Sequence, residues 1–301
     1  MTEYHPDLAR ARFLPRIRLY DWNVKLLQRL ALKPPATPAD LVINDIEQDG
    51  ARVRVYRSAA QQAAGPALVW IHGGGYVQGS PIQDEAFCIA VARELGITVI
   101  SLRYRLAPAH PAPAAIEDAY AALQWTVAHA AEHGVDPARI AIGGASAGAG
   151  LAAGLVLFAH DRGDIHPVFQ LLRYPMLDDR TVLRGLDDRL ARGWIAQNNR
   201  YAWNAYLGQA PGSAGVSEYS APARRDDLSG LPPAWIGVGT IDLFHDEDVE
   251  YARRLKAAGV VTELHIVPGA FHGFDAMFGK AGVVQDFQRV QIDALRRALL
   301  G

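Results

Sequence analysis

The chain has 301 residues, half of them hydrophobic and 21% charged, with a formal net charge of -2. That is ample material for one large core, and the near-neutral balance argues against nucleic acid as a partner. The single cysteine, Cys88, rules out an internal disulfide and a cysteine-based zinc cluster and reads as a buried or half-buried bystander thiol.

The opening "MTEYHPDLARARFLPRIRL" carries Glu3 and Asp7 where a signal peptide would place positive charge and then a continuous apolar run, so a cytoplasmic protein is expected. Residues 10 to 31 set Phe13, Leu14, Ile17, Trp22, Leu26, Leu27 and Leu30 at helical spacing and predict an amphipathic helical segment. Three prolines in "LKPPATPAD" end it. "LVINDIEQ" and "ARVRVYR" flank Asp49-Gly50, a two-residue hairpin signal, so the sheet starts as an antiparallel edge.

From there strands and helices alternate, which makes the sheet parallel: "ALVWIH", a helix over 81–95, "ITVISL", a helix over 114–133, "RIAIGG", a helix over 147–160, then "VFQLLRYP". Ser80, Pro81 and Gln83 predict a capping box at the start of the first of these helices. Residues 178–225 show helical pieces but no strand, and read as an insertion. Alternation resumes with "AWIGVGT", a helix over 244–258, "VVTELHIVP" and a last helix over 283–299.

Residues 140 to 159 carry no charge and would pass a crude hydropathy test for a membrane span. Glycines at 143, 144, 148, 150 and 154 break that reading; a buried strand, a sharp turn and a buried helix laid end to end give the same run. Within it the one polar side chain is Ser146. It is a nucleophile on a tight turn, part of a dinucleotide-binding glycine loop, or a small hydroxyl in a packing surface.

Gly144-Ala145-Ser146-Ala147-Gly148 is a G-x-S-x-G motif between a strand and a helix, where small neighbours let a strained turn project the serine. The letters alone are weak; the strand-turn-helix setting strengthens them. His72-Gly73-Gly74-Gly75 follows an apolar strand and can deliver backbone amides to a developing oxyanion, with Gly74, Gly75 and the Ala147 amide as donors. Alone it would read equally well as a flexible turn. Asp242 directly follows the strand "AWIGVGT", at the carboxyl end where sites in open α/β sheets collect. Asp246, Glu247 and Asp248 fall in the next helix and are expected to face solvent or cap it. His272 lies in the glycine-flanked loop after the last strand, whereas His265 is inside that strand and His72 belongs to the glycine loop as a structural residue. The dinucleotide reading fails on position: Gly148-Ala149-Gly150-Leu151-Ala152-Ala153 starts five residues past the expected strand end, and no acidic residue ends a second strand about 20 positions on.

Taken together, "HGGGY", "YRLAPAHPAPAAIED" at 104–118, "GASAG", "GTIDLFHDED" and "FHGF", in this order over nearly the whole chain, resemble the hormone-sensitive-lipase-like carboxylesterase branch of the α/β-hydrolases. The resemblance implies an α/β-hydrolase fold: a mostly parallel central sheet with an antiparallel N-terminal edge, helices on both faces and a helical cap. It implies Ser146 as nucleophile, His272 as general base and acid, Asp242 as its partner, and Gly74, Gly75 and Ala147 as oxyanion donors. Residues 1–40 would form the N-terminal part of the cap, 178–225 the cap insertion, and 41–177 with 226–301 the core. The sequence departs from the pattern at Ala145, where Asp or Thr is more frequent, at Ala149-Gly150 for Gly-Asn, at Ala109 for Glu, and at Leu243-Phe244 for Pro-Leu.

The function expected is hydrolysis of short to medium acyl esters through an acyl-enzyme, with no metal or organic cofactor. The partners expected are a small-molecule ester, with no nucleic acid and no membrane; a homodimer is left open. Amide or carbamate hydrolysis would use the same residues. A non-catalytic binding protein, as among plant gibberellin receptors that resemble this family but lack the histidine, is the competing class. The aromatics Tyr20, Trp22, Trp194, Tyr201, Trp203 and Tyr206 either roof the acyl pocket or pack into the cap's own core. With no long apolar surface for lipid droplets, short and medium chains are expected over long ones.

Overall fold

The computed structural model describes residues 3–29, 33–61 and 63–301. Eight strands form one sheet: β1 (Leu41–Gln48), β2 (Ala51–Ser58), β3 (Gly65–Ile71), β4 (Thr98–Leu102), β5 (Val135–Ala145), β6 (Phe169–Arg173), β7 (Ala234–Gly239) and β8 (Thr262–Val267), in the order β1-β2-β4-β3-β5-β6-β7-β8. β1 and β2 pair antiparallel around Asp49 and Gly50, both at positive φ, as the hairpin signal predicts. β2 also runs antiparallel to β4, and from β4 onward every pair is parallel.

The sheet sits between two buried layers. Ala67, Leu68, Val69, Trp70 and Ile71 of β3 are all fully buried, because helices cover both faces of the central strands and no alternation with polar residues survives there. The helices are α1 (Asp21–Arg29), α2 (Glu85–Leu95), α3 (Ala114–Ala128), α4 (Ala147–Arg162), α5 (Ala196–Leu207), α6 (His245–Ala257), α7 (Phe274–Met277) and α8 (Gly282–Leu300). Cys88 is buried and unpaired. No described helix is long and apolar enough to cross a membrane.

Three expectations are corrected. The amphipathic segment over 10–31 is not one helix: a 3-10 turn spans Pro6–Phe13, the chain then runs extended, and α1 follows. Pro15 is the cause, since it pushes Leu14 out of the helical region to φ -70° and ψ 137°. Leu30, the last residue of that pattern, lies outside the described residues. The capping box at Ser80 does not form; Ser80 precedes a 3-10 turn without a side-chain cap bond. Finally, α3 stops five residues before 133, where the His129 N–H donates to the Trp125 carbonyl.

Residues 178–225 hold 3-10 turns and α5 but no strand, as predicted. They are tied to the first thirty residues by polar contacts that pair side chains with backbone. Asn198 accepts the Leu19 N–H at 2.9 Å and donates to the Ile17 carbonyl at 2.9 Å. Arg192 donates to the Ala11 carbonyl at 3.0 Å, and the Tyr4 hydroxyl to the Leu190 carbonyl at 2.8 Å.

Candidate active site

β5 ends at Ala145 and α4 begins at Ala147, leaving Ser146 alone at the turn with φ 56° and ψ -121°. A non-glycine residue there is strained, and neighbours hold it: the Ser146 N–H donates to the Arg173 carbonyl, and its carbonyl accepts from Gly150 and Met176. The flanking glycines are required by close approach. A Cβ at Gly148 would stand 2.1 Å from the Ile71 carbonyl oxygen, and one at Gly144 2.4 Å from that of Gly148. These same contacts press the serine turn against the end of β3, from which the glycine loop departs.

That loop places Gly74 at φ 113° and Gly75 at φ 62°. Among the described residues, the N–H groups of Gly74, Gly75 and Ala147 donate to no protein acceptor. Ala147 opens α4, so its N–H has no partner within the helix. His72 is fully buried, with its ring stacked 4.4 Å from Tyr104 and its Nδ1 2.8 Å from the Gly73 carbonyl. Burial pushes its pKa down to about 4, so it stays neutral at ordinary pH and holds the loop.

Asp242 follows β7 and His272 follows β8. His272 Nε2 lies 2.8 Å from Ser146 Oγ, and His272 Nδ1 lies 2.8 Å from Asp242 Oδ2. The other carboxylate oxygen of Asp242 accepts the Phe244 N–H at 2.9 Å. All three side chains are buried or nearly so, with Ser146 6% exposed. Parallel pairing explains the convergence, since β5, β7 and β8 all release their chain at the same edge.

Around the imidazole stand residues that sequence reading did not assign to it. Tyr174, at φ 37° just past β6, meets the His272 ring edge-on at 4.7 Å, and Phe244 does so at 5.0 Å. The Tyr174 hydroxyl donates to Asp275 at 2.7 Å, and Asp275 pairs with buried Arg173 at 3.0 Å. Tyr174 follows a strand's carboxyl end, the same positional signal that singles out Asp242. His265 is half-buried in β8 with its ring stacked 6.1 Å from Trp235, as expected of a packed residue.

The three acids after Asp242 need correction. Asp246 is exposed, but Glu247 and Asp248 are buried instead of facing solvent. Glu247 accepts the Leu177 N–H at 2.7 Å, the Asp178 N–H at 3.2 Å and the Thr181 hydroxyl, so it fastens the segment after β6 to α6. Burial pushes its pKa up to about 8. Asp248 is fully buried with neither carboxyl oxygen in a hydrogen bond, and its pKa is driven well up by burial and by the nearby Glu247 and Asp242.

Of the six aromatics, some are packed and some are exposed. Trp194 lies over the glycine loop, where a Cβ on Gly75 would come within 2.2 Å of its ring, and its ring is 6.3 Å from that of His272. Trp203 and Tyr206 are buried together, with Tyr206 stacked on Tyr76 at 3.7 Å. Tyr201 donates to Asp21, while Tyr20 and Trp22 are exposed and roof nothing. Two open clefts flank the centre. One of about 520 Å³ is bordered by Leu186, Leu190 and Asp242, and one of about 820 Å³ by Gln83, Arg103 and Arg105; neither is lined by Ser146 or His272.

A family model described as the alpha/beta hydrolase fold matches residues 68–276. Carboxylic ester hydrolase LipN of Mycobacterium tuberculosis is 38% identical over 82% of this chain, which spans 66% of LipN's own length. Ethyl acetate hydrolase of Pseudomonas putida is 32% identical over 81% of this chain and 77% of its own. Among solved structures, a bacterial heroin esterase superposes with a TM-score of 0.88 at 37% identity, covering 98% of both chains.

Proposed function

The chain belongs to the hormone-sensitive-lipase-like branch of the α/β-hydrolase family and is a carboxylic ester hydrolase; from that premise we propose that it hydrolyses short acyl esters through an acyl-enzyme on Ser146. The observation that carries this reading is the pair of contacts on either side of one imidazole, Ser146 Oγ to His272 Nε2 and His272 Nδ1 to Asp242 Oδ2, each 2.8 Å.

Ser146 Oγ attacks the ester carbonyl carbon as its proton passes to His272 Nε2. The Asp242 carboxylate accepts the Nδ1–H, which fixes the tautomer with a free Nε2 lone pair and stabilises the imidazolium. The carbonyl oxygen, now negative, takes hydrogen bonds from the N–H groups of Gly74, Gly75 and Ala147; each donor contributes about 3 to 4 kcal/mol. The tetrahedral centre collapses, the C–O bond to the alcohol breaks, and His272 returns the proton to the departing oxygen. Water, deprotonated by His272, repeats the sequence on the acyl-serine and releases the acid. No step requires a metal or an organic cofactor.

Trp194 limits the acyl chain. Its ring lies across Gly75 and near His272, so it shortens the space beyond the carbonyl carbon. The relatives named for ethyl acetate and heroin support esters of small acids. We take residues 3–40 and 178–225 as two pieces of one cap, supported by the Asn198, Arg192 and Tyr4 contacts between them. The reading is tested with 4-nitrophenyl esters from acetate to palmitate. Wild-type kcat/KM should peak at acetate to butyrate, because each added methylene contributes up to about 0.8 kcal/mol only until the roof is reached. Trp194→Ala should move the optimum to longer chains; an unchanged profile would contradict the roof.

A further inference from the structure

The described residues include eleven large apolar side chains that are exposed, and five of them fall within fourteen positions: Phe13 at 73%, Ile17 at 66%, Tyr20 at 44%, Trp22 at 70% and Leu26 at 53%. The same stretch is strongly cationic. Between positions 10 and 29 the chain carries Arg10, Arg12, Arg16, Arg18, Lys25 and Arg29 against Asp21, a net of +5 in a chain of -2. Arg16 pairs with Asp188, and the Asp21 carboxylate accepts from Tyr201. Arg10, Arg12, Arg18, Lys25 and Arg29 have no carboxylate partner among the described residues.

The geometry of α1 shows which side this face presents. Val24 is buried, Asn23 and Leu27 are half-buried, and Gln28 donates to the Val77 and Ala107 carbonyls, so that side grips the core. Trp22, Lys25, Leu26 and Arg29, at spacings of three, four and seven, make the opposite stripe and are all exposed. The end of the 3-10 turn adds Phe13 and the extended stretch adds Ile17, both exposed and set between arginines. The buried anchors of the segment, Leu8, Ala11, Leu19 and Val24, keep these side chains facing outward while their backbone is held by Asn198, Gln197 and Arg192.

We infer that residues 10–29 form a docking surface for an anionic lipid bilayer, on which the protein lies without crossing it. Aromatic and aliphatic side chains beside unpaired arginines and lysines are the composition that enters the headgroup boundary of such a surface, where apolar burial and attraction to acidic headgroups add. Ile17 and Leu26 decide against a nucleic acid, since aliphatic side chains offer no face for stacking bases. A second copy of the chain, carrying the same net of +5 on the same patch, would be repelled across a two-fold contact.

The test is sedimentation of the intact protein with phosphatidylcholine vesicles, alone and with about one third phosphatidylglycerol. Binding should require the acidic lipid and fall steeply with added salt. Arg12→Gln with Arg18→Gln should lower the partition coefficient about twenty-five-fold, near fivefold per cation. Trp22→Ser with Leu26→Ser should lower it about tenfold or more at unchanged charge. Both variants should hydrolyse a soluble acetate ester at the wild-type rate, which shows that they are folded. Absence of pelleting with acidic vesicles overturns the inference. So does acid-dependent pelleting that ignores Trp22→Ser with Leu26→Ser, equally tight binding to a DNA oligonucleotide, or a wild-type dimer that these two serines dissociate.

Discussion

The carboxyl edge of the sheet and the paired segments 3–29 and 178–225 are held by different physics. At the sheet edge the backbone leaves no choice: Gly144 and Gly148 pass within contact of neighbouring carbonyls, Ser146 takes a positive φ, and the run of parallel pairs β5-β6, β6-β7 and β7-β8 brings three loops to one place. Residues 3–29 and 178–225 meet through side chains that satisfy backbone groups far away in sequence, as Asn198 does for Ile17 and Leu19. The first region is specified by local necessity and the second by long-range polar matching. Substitutions should therefore act on chemistry or on global stability in the first, and on local opening in the second.

The largest effect is expected at Ser146. Ser146→Ala should lower kcat/KM by roughly four or more decades while leaving the melting temperature close to wild type, since it only shortens a side chain at a held turn. Asp242→Asn should cost about four decades, because the amide stabilises the wrong imidazole tautomer. Asp246→Asn, on the exposed carboxyl four positions on, should change the rate less than about twofold. Equal losses from these two aspartates would erase the distinction between the buried acid and its exposed neighbour.

Gly148→Ala should act on folding before chemistry. The new Cβ meets the Ile71 carbonyl oxygen at 2.1 Å, and a backbone atom cannot swing aside. A loss of about 3 kcal/mol in denaturant unfolding is expected. Between the two segments, Asn198→Ala leaves the buried Leu19 N–H without an acceptor and should cost about 1 to 3 kcal/mol. Its signature should be local: faster proteolysis within residues 3–29, with the sheet's amide exchange unaltered. Uniform loss of protection across the sheet would show that the two regions are one cooperative unit.

Glu247 joins the regions, and its effect depends on pH. Burial raises its pKa from 4.5 to about 8, so the folded chain holds this proton more tightly than the unfolded chain does. The stability it contributes is complete below about 4.5 and is lost as pH rises through about 8. Asp248, raised in the same direction, adds to the fall, and the Asp178 carboxylate opposes ionisation of Glu247. Glu247→Gln should make unfolding free energy decline less steeply between about pH 5 and 8, by up to about 1.4 kcal/mol per pH unit. An unchanged slope would show that the carboxyl already ionises freely.

The sheet and the location of the polar residues at its edge were legible in the sequence because both follow from local rules. Alternation of apolar strands with helices gives the parallel order, and Asp49-Gly50 gives the hairpin. Ser146, Asp242 and His272 each sit just past an apolar strand, and the structure brings those three together. What escaped is non-local. Glu247 and Asp248 read as exposed or capping acids because the first turn of a helix normally welcomes carboxylates; only the fold reveals that both are buried and that the chain after β6 is bound to Glu247. Tyr20 and Trp22 carry two readings, roof of the pocket or core of the cap, and match neither, since both are exposed; composition cannot tell which side of a short segment meets the core. Pro15 was the one local sign that the segment over 10–31 could not be a single helix, and its effect on Leu14 shows in the dihedral angles.

Covalent trapping of the intermediate tests the serine mechanism most directly. The protein is mixed with excess 4-nitrophenyl acetate, quenched in acid within the first turnover, digested and read by mass spectrometry, with a parallel stopped-flow trace of 4-nitrophenolate. A burst approaching one product per active chain is expected, together with an acetyl group on Ser146, and neither should survive in Ser146→Ala. Turnover at the wild-type rate in Ser146→Ala, or a burst whose acetyl group resides on another residue, would contradict nucleophilic catalysis by Ser146.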